Sequence, residues 1–167
     1  MEYFINDKTI SNAQIVKGSA TNLKFLPKES VDYIYTDPPY GKKIPYLDLS
    51  AMWNAWLDLE VTEEDYKQEA IEGGEQKKSK DEYNELIAQS IKEMYRVLKY
   101  DRWLSFVFAH KDPEFWHLII DTAERCGFEY IGAVPQKNGQ TSFKKRQNPF
   151  TVLSGQLIIN FRKVRNP

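Results

Sequence analysis

Apolar positions along the chain follow two rhythms, and the changes between them divide it into elements. Residues 14–18 read as a short strand ended by Gly18, and a helical turn at 22–25 is closed by Pro27. Residues 31–36 are β-rich without clean alternation, which predicts a strand covered on both faces, stopped where Pro38 and Pro39 remove ladder donors. From 46 to 57, Leu49, Met52, Trp53, Trp56 and Leu57 recur at helical spacing, so a helix is expected with Trp53 and Trp56 in the core. Residues 60–82 are charged around Gly73-Gly74 and read as a solvated, mobile insertion. A long helix then carries Ile87, Ile91, Met94 and Leu98 on one stripe. A strand at 103–109, a helix at 113–125 closed by Gly127, a strand at 129–134, a polar loop at 136–149 and a last strand at 155–161 complete the chain.

Strands that alternate with helices, followed by two strands joined by a loop, predict an α/β fold. The sheet is expected to be mostly parallel with an antiparallel strand near one edge. The length of 167 residues suits a single domain spanning the chain. With 41% apolar and 14% aromatic residues, the composition is that of a globular chain. A net charge of −1 supplies no global field for a polyanion, so nucleic-acid contact has to come from local basic patches. The single cysteine, Cys126, forbids an internal disulfide and reads as a small buried residue. No apolar run reaches transmembrane length and no secretory pattern opens the chain, so a soluble, cytoplasmic protein is expected.

The chemistry is concentrated in Asp37-Pro38-Pro39-Tyr40, at the carboxyl end of a strand, where open α/β sheets form their sites. Each proline restricts the residue before it, so Asp37 and Pro38 are held in extended geometry. The Pro38 carbonyl and the Asp37 carboxylate are then two acceptors for one amino group. Together they localise a nitrogen lone pair that a nucleobase otherwise delocalises into its ring. Tyr40 offers a flat face for stacking, and a base in a duplex reaches such a pocket only when flipped out.

The run Val31-Asp32-Tyr33-Ile34-Tyr35-Thr36-Asp37-Pro38-Pro39-Tyr40 resembles the catalytic motif of S-adenosylmethionine-dependent DNA methyltransferases acting on adenine N6 or cytosine N4. Gly18-Ser19-Ala20 with Leu26-Pro27-Lys28-Glu29-Ser30 resembles the stretch before that motif. Tyr95-Arg96-Val97-Leu98-Lys99 resembles the unit after it, and the tail from Phe128 to Lys163 the closing antiparallel pair. The resemblance implies a Rossmann-like methyltransferase sheet in which Asp37, Pro38, Pro39 and Tyr40 hold and stack a flipped base, adenine in preference to cytosine. It implies donor contacts from Ser19, Ala20 and Asp37. Lys42, Lys43 and Tyr46 beside the tetrad, and Lys144-Lys145-Arg146 between Phe143 and Phe150, are candidate nucleic-acid contacts. No metal ligand set is expected: His110 and His117 lack a second ligand at metal spacing.

The pattern departs from the family in three places. The donor site needs a glycine turn of the form Phe-x-Gly-x-Gly between strand and helix, and no pair among the eight glycines fits it. Ser19 stands where the family often carries an acidic residue, and Tyr100-Asp101-Arg102 replaces Pro-Gly-Gly. The expectation is a partial domain with an incomplete sheet that binds S-adenosylmethionine weakly or not at all. DNA is its expected partner, together with a second segment or chain carrying the donor loop, or a second copy covering the exposed edge. Two rival readings remain: an RNA or protein amino-group methyltransferase of the same fold, and an inactive nucleic-acid-binding or partner subunit.

Overall fold

The computed structural model describes residues 2–3, 13–41, 44–74, 76–110, 112–137 and 155–165. Its strands are β1 (Glu2–Tyr3), β2 (Ile15–Val16), β3 (Val31–Thr36), β4 (Leu98–Phe108), β5 (Phe128–Lys137) and β6 (Gly155–Lys163). Its helices are α1 (Tyr46–Leu49), α2 (Ala51–Trp56), α3 (Glu63–Gln68), α4 (Lys80–Val97) and α5 (Pro113–Cys126). β1 and β2 form a small antiparallel pair, and the remaining strands form one sheet in the order β3-β4-β6-β5. β3 runs parallel to β4, and β6 is antiparallel to both β4 and β5. Three strands therefore point one way and the fourth lies one place in from the edge: the mixed α/β sheet expected.

The register explains the core. Ile34, Leu104 and Phe161 share one row, and Thr36, Phe106 and Ile159 another. Leu104, Phe106, Ile159 and Phe161 are fully buried in a cluster with Ile87, Ile91 and Met94 of α4 and Phe115, Ile119 and Ala123 of α5. Residues 104–108 are all buried, as befits a central strand. Ser79 and Glu82 form a capping box at the start of α4, and Asp112 with Pro113 starts α5. Gly127 ends α5 at φ 102°, and a Cβ there would stand 2.7 Å from the Tyr95 hydroxyl, so glycine is demanded twice over. Tyr100-Asp101-Arg102, at the place where the sequence departs from the resemblance, forms a bulge in β4: Val31 pairs with Leu98, but Tyr33 pairs with Trp103. Asp101 takes the left-handed conformation at φ 59°, which aspartate tolerates better than most residues.

One expectation is corrected here. Residues 46–57 form two short helices rather than one, and Trp53 and Trp56 are 57% and 68% exposed rather than in the core. Helical periodicity identifies an apolar face but not what covers it, and the two indoles pack edge to face on each other at 5.3 Å. The charged segment 60–82 carries both exposed and buried positions among its described residues. Thr62 and Asp65 cap α3, Ile71 is buried, and the buried Lys78 ammonium donates to the Tyr66 and Glu69 carbonyls at the end of that helix. Cys126 is half-buried, and its burial raises the thiol pKa. Among the described residues, no helix is long and apolar enough to cross a membrane.

On the face of the sheet opposite that core, Tyr33, Tyr35 and Trp103 are exposed, and among the described residues β3 has no strand on its outer side. The Tyr33 hydroxyl donates to Ser105 at 2.8 Å, and Ser105 donates to Asn160 at 2.7 Å, a polar line across that face.

One long-range contact fixes the turn that leaves β3. Tyr83 of α4 is fully buried, packs edge to face on Phe115, and donates its hydroxyl to the Pro39 carbonyl at 2.7 Å. Burial pushes its pKa up to about 12, against a hydrogen bond from the Gly41 backbone, so it stays a donor. Tyr83→Phe leaves that carbonyl without its partner and is expected to cost about 1–3 kcal/mol in urea unfolding. Phe161→Ala, which opens a cavity in the centre of the sheet, is expected to cost about 3–5 kcal/mol in the same measurement.

Candidate active site

Asp37-Pro38-Pro39-Tyr40 leaves the carboxyl end of β3 as an irregular segment. The prolines end the strand because neither can donate to a ladder. Gly41 follows at φ 65°, and a Cβ there would lie 3.3 Å from the His110 Nε2, so the chain turns away where only glycine fits well. His110 supports this turn from behind: its Nδ1 accepts from the Asp112 amide at 3.0 Å, and its ring packs on Phe115 at 4.2 Å.

Within the tetrad, the Tyr40 hydroxyl donates to the Asp37 carboxylate. It also accepts from Gln156 Nε2 at 3.1 Å, and the ring stands edge-on to Phe108 at 5.2 Å. Burial and the neighbouring Asp37 carboxylate hold the Tyr40 pKa well above the ordinary tyrosine value, so the hydroxyl keeps its proton.

A cavity of about 390 Å³ opens beside the tetrad. Gly18, Ser19, Ala20 and Thr21 line one side, and Thr36, Pro38 and Pro39 come from the end of β3. Tyr46 and Leu47 of α1, and Leu86, Ile87 and Met94 of α4, supply further wall. Its size and apolar lining with a few polar groups match an ordinary small-ligand site. The segment carrying Ser19 is tied to α4 by Arg96, which donates to the Leu23 and Leu26 carbonyls, and by Glu93, which accepts the Leu23 amide. Lys17 bridges to Asp65 at 2.8 Å and to the Glu60 carbonyl at 3.0 Å, fastening the same segment to α3. Glu69 accepts the Leu47 amide at 3.1 Å, which fixes the start of α1 at the cavity.

The structure thus brings together Ser19, Ala20, Pro38, Pro39 and Tyr46 from three separate stretches of sequence, while Asp37 and Tyr40 pair with each other. Lys42, Lys43, Lys144, Lys145 and Arg146 lie outside the described residues. Among the described residues, no group of three or more His, Cys, Asp or Glu side chains is placed to hold a metal ion. Sequence reasoning missed Tyr83, Gln156, Arg96 and the Lys17–Asp65 pair. Their contacts to this region span 44, 116, 70 to 73 and 48 residues, and no local pattern signals a partner at such separations.

The cavity's lining, apolar with a few polar groups, bears on the donor that the resemblance implies. Gly18, the glycine that lines it, has nothing within 4 Å of an added Cβ, so no backbone cradle of close approach is formed there. The described lining thus has the size for a small organic ligand but does not form, at Gly18, the glycine cradle that the resemblance implies for the donor.

No family model and no curated protein matches the sequence. Solved structures do match in fold. The chain is similar to the cytosine-N4-specific PvuII DNA methyltransferase, with a TM-score of 0.57 and 15% identity over 94% of this chain and 51% of that one. It is also similar to TTHA0409 of Thermus thermophilus, provisionally a DNA modification methylase, solved with S-adenosyl-L-methionine. That match has a TM-score of 0.50 and 16% identity over 90% of this chain and 54% of that one. The chain spans about half the length of these two solved structures, and over that half it shares their α/β fold.

Proposed function

We propose that this chain is the target-base part of a DNA amino-methyltransferase that acts on the exocyclic amine of a flipped base, adenine N6 in preference to cytosine N4. The observation that carries the reading is the proline-bounded tetrad at the end of a β-strand, beside an apolar cavity, in a methyltransferase fold. The preference for adenine rests on the resemblance.

In this reading Asp37 and the Pro38 carbonyl accept the two N–H bonds of the amine and expose its lone pair. Their fixed dipoles stabilise the positive charge that grows on nitrogen, the kind of preorganised effect that dominates many such reactions. Pro39 keeps the corner rigid and Tyr40 stacks on the ring once its hydroxyl has left Asp37. Ser19 and Ala20, together with Asp37, contact the donor. S-adenosylmethionine, when bound, supplies a methyl group on a sulfonium sulfur. Lys42, Lys43, Tyr46, Lys144, Lys145 and Arg146 meet the nucleic acid.

The donor's remaining contacts come from a second segment or chain carrying the glycine turn. The outer edge of β3, open among the described residues, and the exposed Tyr33, Tyr35 and Trp103 favour such a neighbour, since an uncovered edge strand is a standing hazard. A second copy of the chain is the other occupant of that edge. The missing glycine turn also favours the rival reading, an inactive nucleic-acid-binding subunit.

Mass spectrometry of nucleosides from a methylation-free host that expresses this chain from its native locus separates these readings. N6-methyladenine is expected, and its loss by at least 100-fold in Asp37→Ala. N4-methylcytosine would move the assignment to cytosine, methylated RNA or protein alone would move the substrate, and no product at all would support the inactive subunit. Calorimetry on the isolated chain is expected to show S-adenosylmethionine binding weaker than about 100 µM, and tight binding would refute the need for a second segment.

A further inference from the structure

Gln156 has no place in the reading so far, yet it touches the tetrad from 116 residues away. It sits at the start of β6, opposite Gln136 of β5, with Leu157 next to it packed against the core. Its position is therefore set by the sheet. Its Nε2 reaches the Tyr40 hydroxyl at 3.1 Å, and that hydroxyl donates to Asp37. A hydroxyl has one proton to give, and an ionised carboxylate only accepts. The Tyr40 proton is thus committed to Asp37, and the Gln156 amide has to present nitrogen rather than oxygen to the phenol. The Phe108 contact fixes the ring edge-on at the same time.

We propose that Gln156 is a positioning residue of the tetrad, holding the Tyr40 hydroxyl on the Asp37 carboxylate. The hydroxyl then stands where an amino group is received, so the acceptor carries an internal occupant until a base displaces it. Only this last consequence rests on the amine-acceptor reading. The geometry of Gln156, Tyr40 and Asp37 is independent of it.

The full chain labelled with ¹³Cζ-tyrosine allows the test, with the Tyr40 resonance assigned by its loss in Tyr40→Phe. Among the described residues, Asp37, Tyr46 and Tyr35 are ionisable groups that act on Tyr40, and these act in the same direction as its burial. In Gln156→Leu the hydroxyl is released from Asp37 while its burial stays, and its ionisation midpoint is expected to fall by the part that Asp37 contributes, the same fall as in Asp37→Asn. Gln156→Ala is expected to behave alike. A glutamine that merely solvated the phenol oxygen would, on removal, leave the midpoint in place or raise it, and that result overturns the proposal. Titration with adenosine and cytidine then addresses the functional reading. Gln156→Leu is expected to bind one of them at least threefold more tightly than the parent chain. A shifted midpoint with no gain in nucleoside affinity upholds the positioning role and counts against the amine-acceptor reading.

Discussion

The site depends on one short stretch of backbone being held still where a strand ends. Two prolines remove the hydrogen bonds that would continue β3, and the loop that follows has to find partners elsewhere. Tyr83 supplies one for Pro39 from inside the core, and burial keeps its hydroxyl a donor. Gly41 lets the chain turn against His110, which is itself locked by Asp112 and Phe115. The corner is rigid because residues on α4 and in the connection from β4 to α5 grip it from behind, leaving its front toward the cavity.

The cavity wall follows the same logic of distant fastening. The segment 18–30 has little secondary structure, and its place is set by ties to the C-terminal turns of α4. Arg96 and Glu93 hold Leu23, and the Glu29 and Ser30 amides donate to the Arg96 and Val97 carbonyls. Those carbonyls would otherwise lack intrahelical partners. At the same helix end, the buried Lys163 ammonium donates to the Tyr95 and Leu98 carbonyls and lies over the Tyr95 and Tyr100 rings. One helix terminus thereby joins the cavity wall, the bulge of β4 and the end of β6.

The two faces of the sheet are finished to different degrees. One is packed by α4 and α5 into a continuous core. The other displays Tyr33, Tyr35 and Trp103, and β3 presents an open edge among the described residues. The two solved structures the chain resembles in fold are about twice as long.

Local chemistry determined most of the elements. The stripe Ile87, Ile91, Met94, the caps Ser79 and Asp112, and the terminator Gly127 are short-range signals, and the helices they announce are present. The tetrad was legible because proline's effect on its own strand needs no partner. What tertiary structure alone decided are the relations between distant residues. Trp53 and Trp56 keep their helical spacing but meet no core, Asp101 forms the left-handed turn that glycine usually serves, and Tyr40 spends its hydroxyl on Asp37 under the hand of Gln156. Periodicity records which side of an element is apolar, and local preference which turn is tolerable. The partner across the fold is chosen only when the sheet register brings residues more than a hundred positions apart within hydrogen-bond reach.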